Sequence, residues 1–314
     1  MSGEKKSGTN IKMIYWLTAA LVFGLLCVLT FPDRQRELSR EEYPVVILGD
    51  SLVGLCRDET SVPELLSNHL GQRVFNGAFG GTCLAVQPEE TSTNYTAELL
   101  NMVSLSKAIV ADDFGVQQTV RSRRVITDYF GDTVDELECV DFQKVEVLLL
   151  VFGLNDYHAG IPLENADNPL DESTYGGALR SVLTSLRQVN PNMRIVLVTP
   201  TYTWYLSEHL TCEEYDTGEF YLEDYVEKEK EIGEAFGVEV IDLYHGLYTH
   251  ENWKDWKIYT EDGLHPNEDA RRMIAQILSE TIAGDKHTVS RRETGNEDDG
   301  ENAHPFFDTV VAQH

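Results

Sequence analysis

The chain has no two cysteines at C-x-x-C spacing and no histidines in a His-x-His or His-Glu-x-x-His arrangement. Neither a zinc ribbon, a redox dithiol nor a zinc-hydrolase helix is therefore expected, and no metal or other cofactor is assigned. Basic residues are also scarce: 25 Lys and Arg stand against 53 Asp and Glu, a net charge of −28. Polyanions such as nucleic acid or teichoic acid would be repelled over most approaches, so neutral or cationic substrates are favoured. Internal repeats are lacking. Uncharged apolar runs of bilayer length are lacking too, with one exception.

That exception is residues 13–31, 19 residues without a formal charge, long enough to cross a bilayer as a helix. No small-residue cleavage site follows it, and Cys27 is preceded by Leu25 and Leu26, which does not suit lipoprotein processing. An uncleaved signal anchor is the expectation. Lys5, Lys6 and Lys12 precede the run while Arg34, Arg36 and Arg40 follow it, so the flanking charge does not decide its orientation. A short head argues for the N-terminus inside and an extracytoplasmic catalytic domain. A cytosolic domain tethered from within is the alternative.

The remaining chain divides into a head (residues 1–12), a charged stalk (32–42), a domain (43–284) and a polar tail (285–314) expected to be disordered. Within the domain, short apolar runs at 44–48, 73–76, 145–152, 194–199 and 238–242 read as strands. Between them, 174–189, 220–236 and 266–282 carry apolar residues at helical spacing, and 91–141 is expected to add helices between the second and third strands. Strands alternating with helices predict an α/β fold: a doubly wound, mostly parallel five-stranded sheet flanked by helices, with its cleft at the strands' C-terminal ends. Cys56, Cys83, Cys139 and Cys212 form an even set outside the anchor; bridges and buried thiols both remain open, and a Cys56–Cys83 link would stiffen a cleft loop.

Four strand or helix edges carry polar residues suited to chemistry. Gly49-Asp50-Ser51-Leu52 follows the first strand, presenting a serine at the cleft; a serine needs a neighbouring base to become a nucleophile. Asn76-Gly77-Ala78-Phe79-Gly80-Gly81 ends the second, where a bare N–H could stabilise an oxyanion. Gly153-Leu154-Asn155-Asp156 ends the third and offers a neutral amide donor. Asp262 stands three residues ahead of His265, a spacing that lets its carboxylate accept the Nδ1 proton and leave Nε2 as a base. Taken singly, each could be an ordinary turn.

In this order, the four motifs resemble the signature blocks of the SGNH hydrolases, also called GDSL lipases or esterases. The resemblance covers the domain from 43 to 284 and implies a flavodoxin-like three-layer sandwich. It implies Ser51 as nucleophile, Asp262 and His265 as its base pair, and an oxyanion hole from the Ser51 and Gly81 N–H groups and the Asn155 side chain. Gly80 is the alternative to Gly81. The reaction it implies is ester cleavage through an acyl-serine. Aromatic residues at Tyr202, Trp204, Tyr205, Trp253, Trp256 and Tyr259 flank the expected cleft. They suit an O-acetylated extracytoplasmic glycan, although packing is their alternative role. A lipid esterase is a rival, as is an O-acyltransferase serving a cell-envelope glycan beside a membrane-embedded acyltransferase partner. His158 and His245 also fall near strand ends, without metal-site spacing.

Overall fold

The computed structural model describes residues 39–87, 97–122, 127–215 and 217–293. The expected anchor, most of the stalk and the tail beyond 293 lie outside them; none of the described helices is long and apolar enough to cross a membrane. The described residues contain seven strands: β1 (Val45–Gly49), β2 (Val74–Asn76), β3 (Val147–Val151), β4 (Arg194–Val198), β5 (Trp204–Tyr205), β6 (Leu210–Thr211) and β7 (Glu239–Ile241). Five of them form a wholly parallel sheet in the order β2-β1-β3-β4-β7. β5 and β6 pair antiparallel as a separate hairpin.

Every residue of β1 and β3 is buried, which is why these runs are apolar without alternation: both faces of the sheet are covered. The helices Val62–Leu70 and Glu268–Glu293 pack together, and Met102–Ala111, Tyr175–Val189 and Leu222–Phe236 form a second packed group. Tyr175–Val189 shows how sequence makes such a helix. Thr174 caps it by accepting the Gly177 N–H at 3.2 Å, and Leu179, Val182, Leu183 and Leu186 line its buried face. It stops before Asn190-Pro191. Burying each such Leu or Val contributes about 1.5–3 kcal/mol.

Two boundaries differ from expectation. Pro266 does not open the last helix. It pairs in an antiparallel bridge with Thr260, and Asn267 caps the helix by accepting the Ala270 N–H at 3.0 Å. That helix also continues to Glu293, past the domain boundary read at residue 284, and no proline or glycine interrupts residues 285–293. Cys56 and Cys83 are separate, unbridged thiols, so no Cys56–Cys83 bridge forms. Cys56 contacts Asp58 and Thr60, while Cys83 accepts a bond from Gln87, and these local partners hold the two sulfurs in separate surroundings.

The core contains one acid that should be visible in stability. Glu229 is buried, its carboxyl pushed up to about 8 by that burial, and it accepts a 3.0 Å bond from the Tyr175 hydroxyl. With its folded value raised, the fold prefers the protonated acid. Stability from this group is full below the ordinary glutamate range and falls as pH rises toward 8, by at most about 1.4 kcal/mol per pH unit. Scanning calorimetry should show Tm falling between pH 5 and 8.5, and Glu229→Gln should shrink that fall. An unchanged gap would assign the pH dependence elsewhere.

Candidate active site

The chain runs from β1 outward to β2, then returns to place β3 on β1's other side. The ends of β1 and β3 therefore flank the point where strand order reverses, the place where such sheets leave a crevice. Ser51 follows β1 and Asn155 follows β3, so both sequence-expected residues arrive there. Gly49 permits the approach: a Cβ on it would lie 2.9 Å from the Val151 carbonyl oxygen.

Ser51 opens the short helix Ser51–Gly54, where its own N–H has no intrahelical acceptor. Asp50 caps that turn, accepting the Leu52 N–H at 2.9 Å through Oδ1 and the Asn155 amide at 3.0 Å through Oδ2. Burial pushes the Asp50 carboxyl up to about 6, against the pull of these two donors and of His265. An amide nitrogen carries two protons, so the bond to Asp50 orients Asn155 and leaves one proton for a ligand. The neighbouring Asp156 is buried too, its carboxyl raised to about 7 by burial. It accepts the Leu84 and Ala85 N–H groups at 2.8 and 3.0 Å, fixing the segment after the glycine loop.

The third arm is the loop before the last helix. His265 Nε2 lies 3.0 Å from Ser51 Oγ, and its Nδ1 lies 2.7 Å from Asp262 Oδ2. Asp262 Oδ1 accepts the backbone N–H groups of Leu264 and His265 at 3.0 and 2.8 Å. Partial burial acts to raise the Asp262 carboxyl, but these donors and the imidazole outweigh it and hold it below its ordinary value. Gly263 makes the turn possible: its φ is +95°, and a Cβ would come within 2.2 Å of the Trp204 carbonyl oxygen. Arg271 fastens the loop to the segment that follows Ser51. Its guanidinium donates to the carbonyls of Pro266 (2.7 Å) and Thr60 (2.9 Å) and pairs with Glu261 at 3.0 Å.

The glycine loop is braced by residues that sequence reasoning missed. Tyr129 accepts the Gly80 N–H at 3.0 Å, which occupies the donor of the alternative oxyanion glycine. Gly81, the glycine assigned by the resemblance, follows with a φ of +78°. The Arg57 guanidinium lies 3.9 Å from the Tyr129 ring centroid and donates to the Ala78 carbonyl at 2.6 Å. Tyr129 sits 49 residues from Gly80, in the helical insertion, where no spacing signal marks it. His245 makes a second dyad with Asp242, Nδ1 to Oδ2 at 2.8 Å, but its Nε2 faces Glu223 at 3.3 Å. A carboxylate, in place of a hydroxyl, leaves that copy without a nucleophile. His158 Nε2 lies 2.8 Å from the Tyr205 hydroxyl. Among the described residues, no group of three or more His, Cys, Asp or Glu could hold a metal ion.

The aromatic residues after β4 are not a ring-binding surface. Tyr202 and Trp204 are each 1% exposed, packed on one another and on His250 and Tyr248. Burying such large apolar faces outweighs offering them to solvent. Trp253, Trp256 and Tyr259 are half-buried.

The sequence matches the model of the GDSL-like lipase/acylhydrolase family over residues 47–273. Among solved structures, a Lactobacillus plantarum protein is 18% identical, with 78% of this chain and 99% of that one covered and a TM-score of 0.55. A possible lipase from Chitinophaga pinensis is 19% identical, covering 77% and 98%, with a TM-score of 0.51. At these identities the likeness is one of fold. No curated protein matches the chain.

Proposed function

Because the chain belongs to the GDSL-like lipase/acylhydrolase family, we propose that it is a serine esterase working through an acyl-Ser51 intermediate. The observation that supports this most is the relay of contacts: 3.0 Å from Ser51 Oγ to His265 Nε2, then 2.7 Å from Nδ1 to Asp262. Ser51 Oγ attacks the ester carbonyl carbon as His265 Nε2 takes the hydroxyl proton. Asp262 holds the tautomer and favours the imidazolium. The oxyanion rests against the Ser51 and Gly81 N–H groups and the Asn155 amide. Collapse expels the alcohol, which receives the proton from His265. Water, deprotonated by the same imidazole, then releases the acid and regenerates Ser51.

For the substrate, we favour an O-acetylated glycan outside the cytoplasm. The net charge of −28 suits a neutral ester, and Trp253 and Trp256 leave part of their faces accessible near the His265 loop. Residues 13–31 would hold the domain at the membrane surface. If so, protease added to intact cells should remove it, and full protection would place it inside.

A fluorophosphonate probe followed by peptide mapping tests the chemistry, with labelling expected on Ser51. Labelling elsewhere, or none, would refute the mechanism. Acetate release measured with and without a glycan acceptor then separates hydrolysis from transfer, and activity confined to lipid esters would remove the glycan.

A further inference from the structure

We infer that His158, held by Tyr205, is a specificity-determining residue that binds an oxygen on the alcohol half of the substrate, as found in a sugar or other polyol ester. This rests on the esterase reading above and names the part of the substrate that the triad itself does not recognise.

Position comes first. The helix Leu154–His158 carries both Asn155 and His158, three residues apart and so on one face. Asn155 reaches Asp50, beside Ser51, at 3.0 Å. His158 is close enough to His265 that the charge of His265 disfavours a proton on His158. The second anchor is the β5–β6 hairpin, which rests on the catalytic loop: Trp204 N–H donates to the Gly263 carbonyl at 2.8 Å. His158 therefore lies between the Asn155 helix and the hairpin beside the His265 loop.

Chemistry comes second. Tyr205 is 8% exposed and its ring stacks on Tyr215 at 3.8 Å, so the phenol is fixed. Of the two partners 2.8 Å apart, the phenol is the better acid and an imidazole nitrogen the better acceptor. Tyr205 O–H thus donates to Nε2, and the proton of the neutral ring sits on Nδ1. No described residue takes that Nδ1 proton, and the residue keeps part of its surface open to solvent. Crowding by protein, with His265 nearby, lowers the imidazole to about 4, so it stays neutral through the working range. A neutral, pre-oriented N–H is poorly suited to taking protons at pH 7. It is well suited to donating to an uncharged hydroxyl or ring oxygen. An aryl ester offers no such oxygen.

The experiment compares 6-O-acetylglucose with p-nitrophenyl acetate on the full chain at pH 7. His158→Phe should raise KM for the sugar ester about tenfold, the loss of one hydrogen bond, and leave kcat/KM for the aryl ester within about twofold. His158→Gln, which restores a neutral donor, should recover most of the sugar-ester KM. Equal losses on both esters would assign His158 a structural role and overturn the inference. So would an unchanged sugar-ester KM, or a wild-type chain that cleaves the aryl ester alone. A wild-type chain inert on both would instead bring down the esterase reading, and this one with it.

Discussion

Ser51→Ala should lower kcat for p-nitrophenyl acetate by about 10⁴–10⁶-fold, the loss seen when a hydrolase of this kind loses its nucleophile. The reason is specific to the geometry. His265 Nε2 addresses the Ser51 hydroxyl at 3.0 Å, and with that oxygen gone the base has no protein proton to remove. Folding should be nearly untouched. Among the described residues, the Ser51 hydroxyl bonds to His265 alone, so the change in stability should stay within about 0.5 kcal/mol. Activity above about one percent of wild type, in protein freed of contaminating esterase, would mean that acyl transfer does not pass through this oxygen.

The second large effect is expected at Asn155. Asn155→Ala should cut kcat by about 10²–10³-fold with KM little changed, because an oxyanion donor acts on charge that develops only in the transition state. The substitution has a second consequence here. Asp50 loses the 3.0 Å bond from the amide, one of the contacts that hold its carboxyl down, so its value should rise further above about 6. The variant should therefore keep Asp50 protonated to higher pH, which can be followed by NMR of a selectively labelled aspartate. A kcat within about threefold of wild type would remove Asn155 from the oxyanion site.

Much of this framework can be read from sequence, for a physical reason. The sheet strands are buried on both faces, so they stand out as unbroken apolar runs, and the positions just after them are where a parallel sheet presents side chains. Hence Ser51 and Asn155 stand where side chains are presented, whereas His265, in the loop before the last helix, is marked by its spacing from Asp262 and by the resemblance of the four motifs. What stays hidden depends on distance in the chain. Tyr129 meets Gly80, and Arg271 meets Thr60, through contacts across 49 and 211 residues that leave no periodic trace. The β5–β6 hairpin is hidden because each strand has two residues, too short to show alternation.

The clearest limit is the pair Asp242–His245 and Asp262–His265. Both are Asp-x-x-His, and both fold into nearly the same turn, with the carboxylate taking the histidine's backbone N–H and its Nδ1. Spacing alone cannot rank them. Only what lies opposite Nε2 does: Glu223 in one case, Ser51 in the other.

Arg271 gives the site a particular mode of failure. One guanidinium joins Thr60 to Pro266, so the spacing between the Ser51 hydroxyl and His265, the proposed nucleophile and base, depends on a latch outside the sheet. Loosening it would let the two halves of the catalytic machinery drift apart while every strand stayed paired. On the proposed mechanism, activity should therefore be lost at a lower temperature than the fold itself.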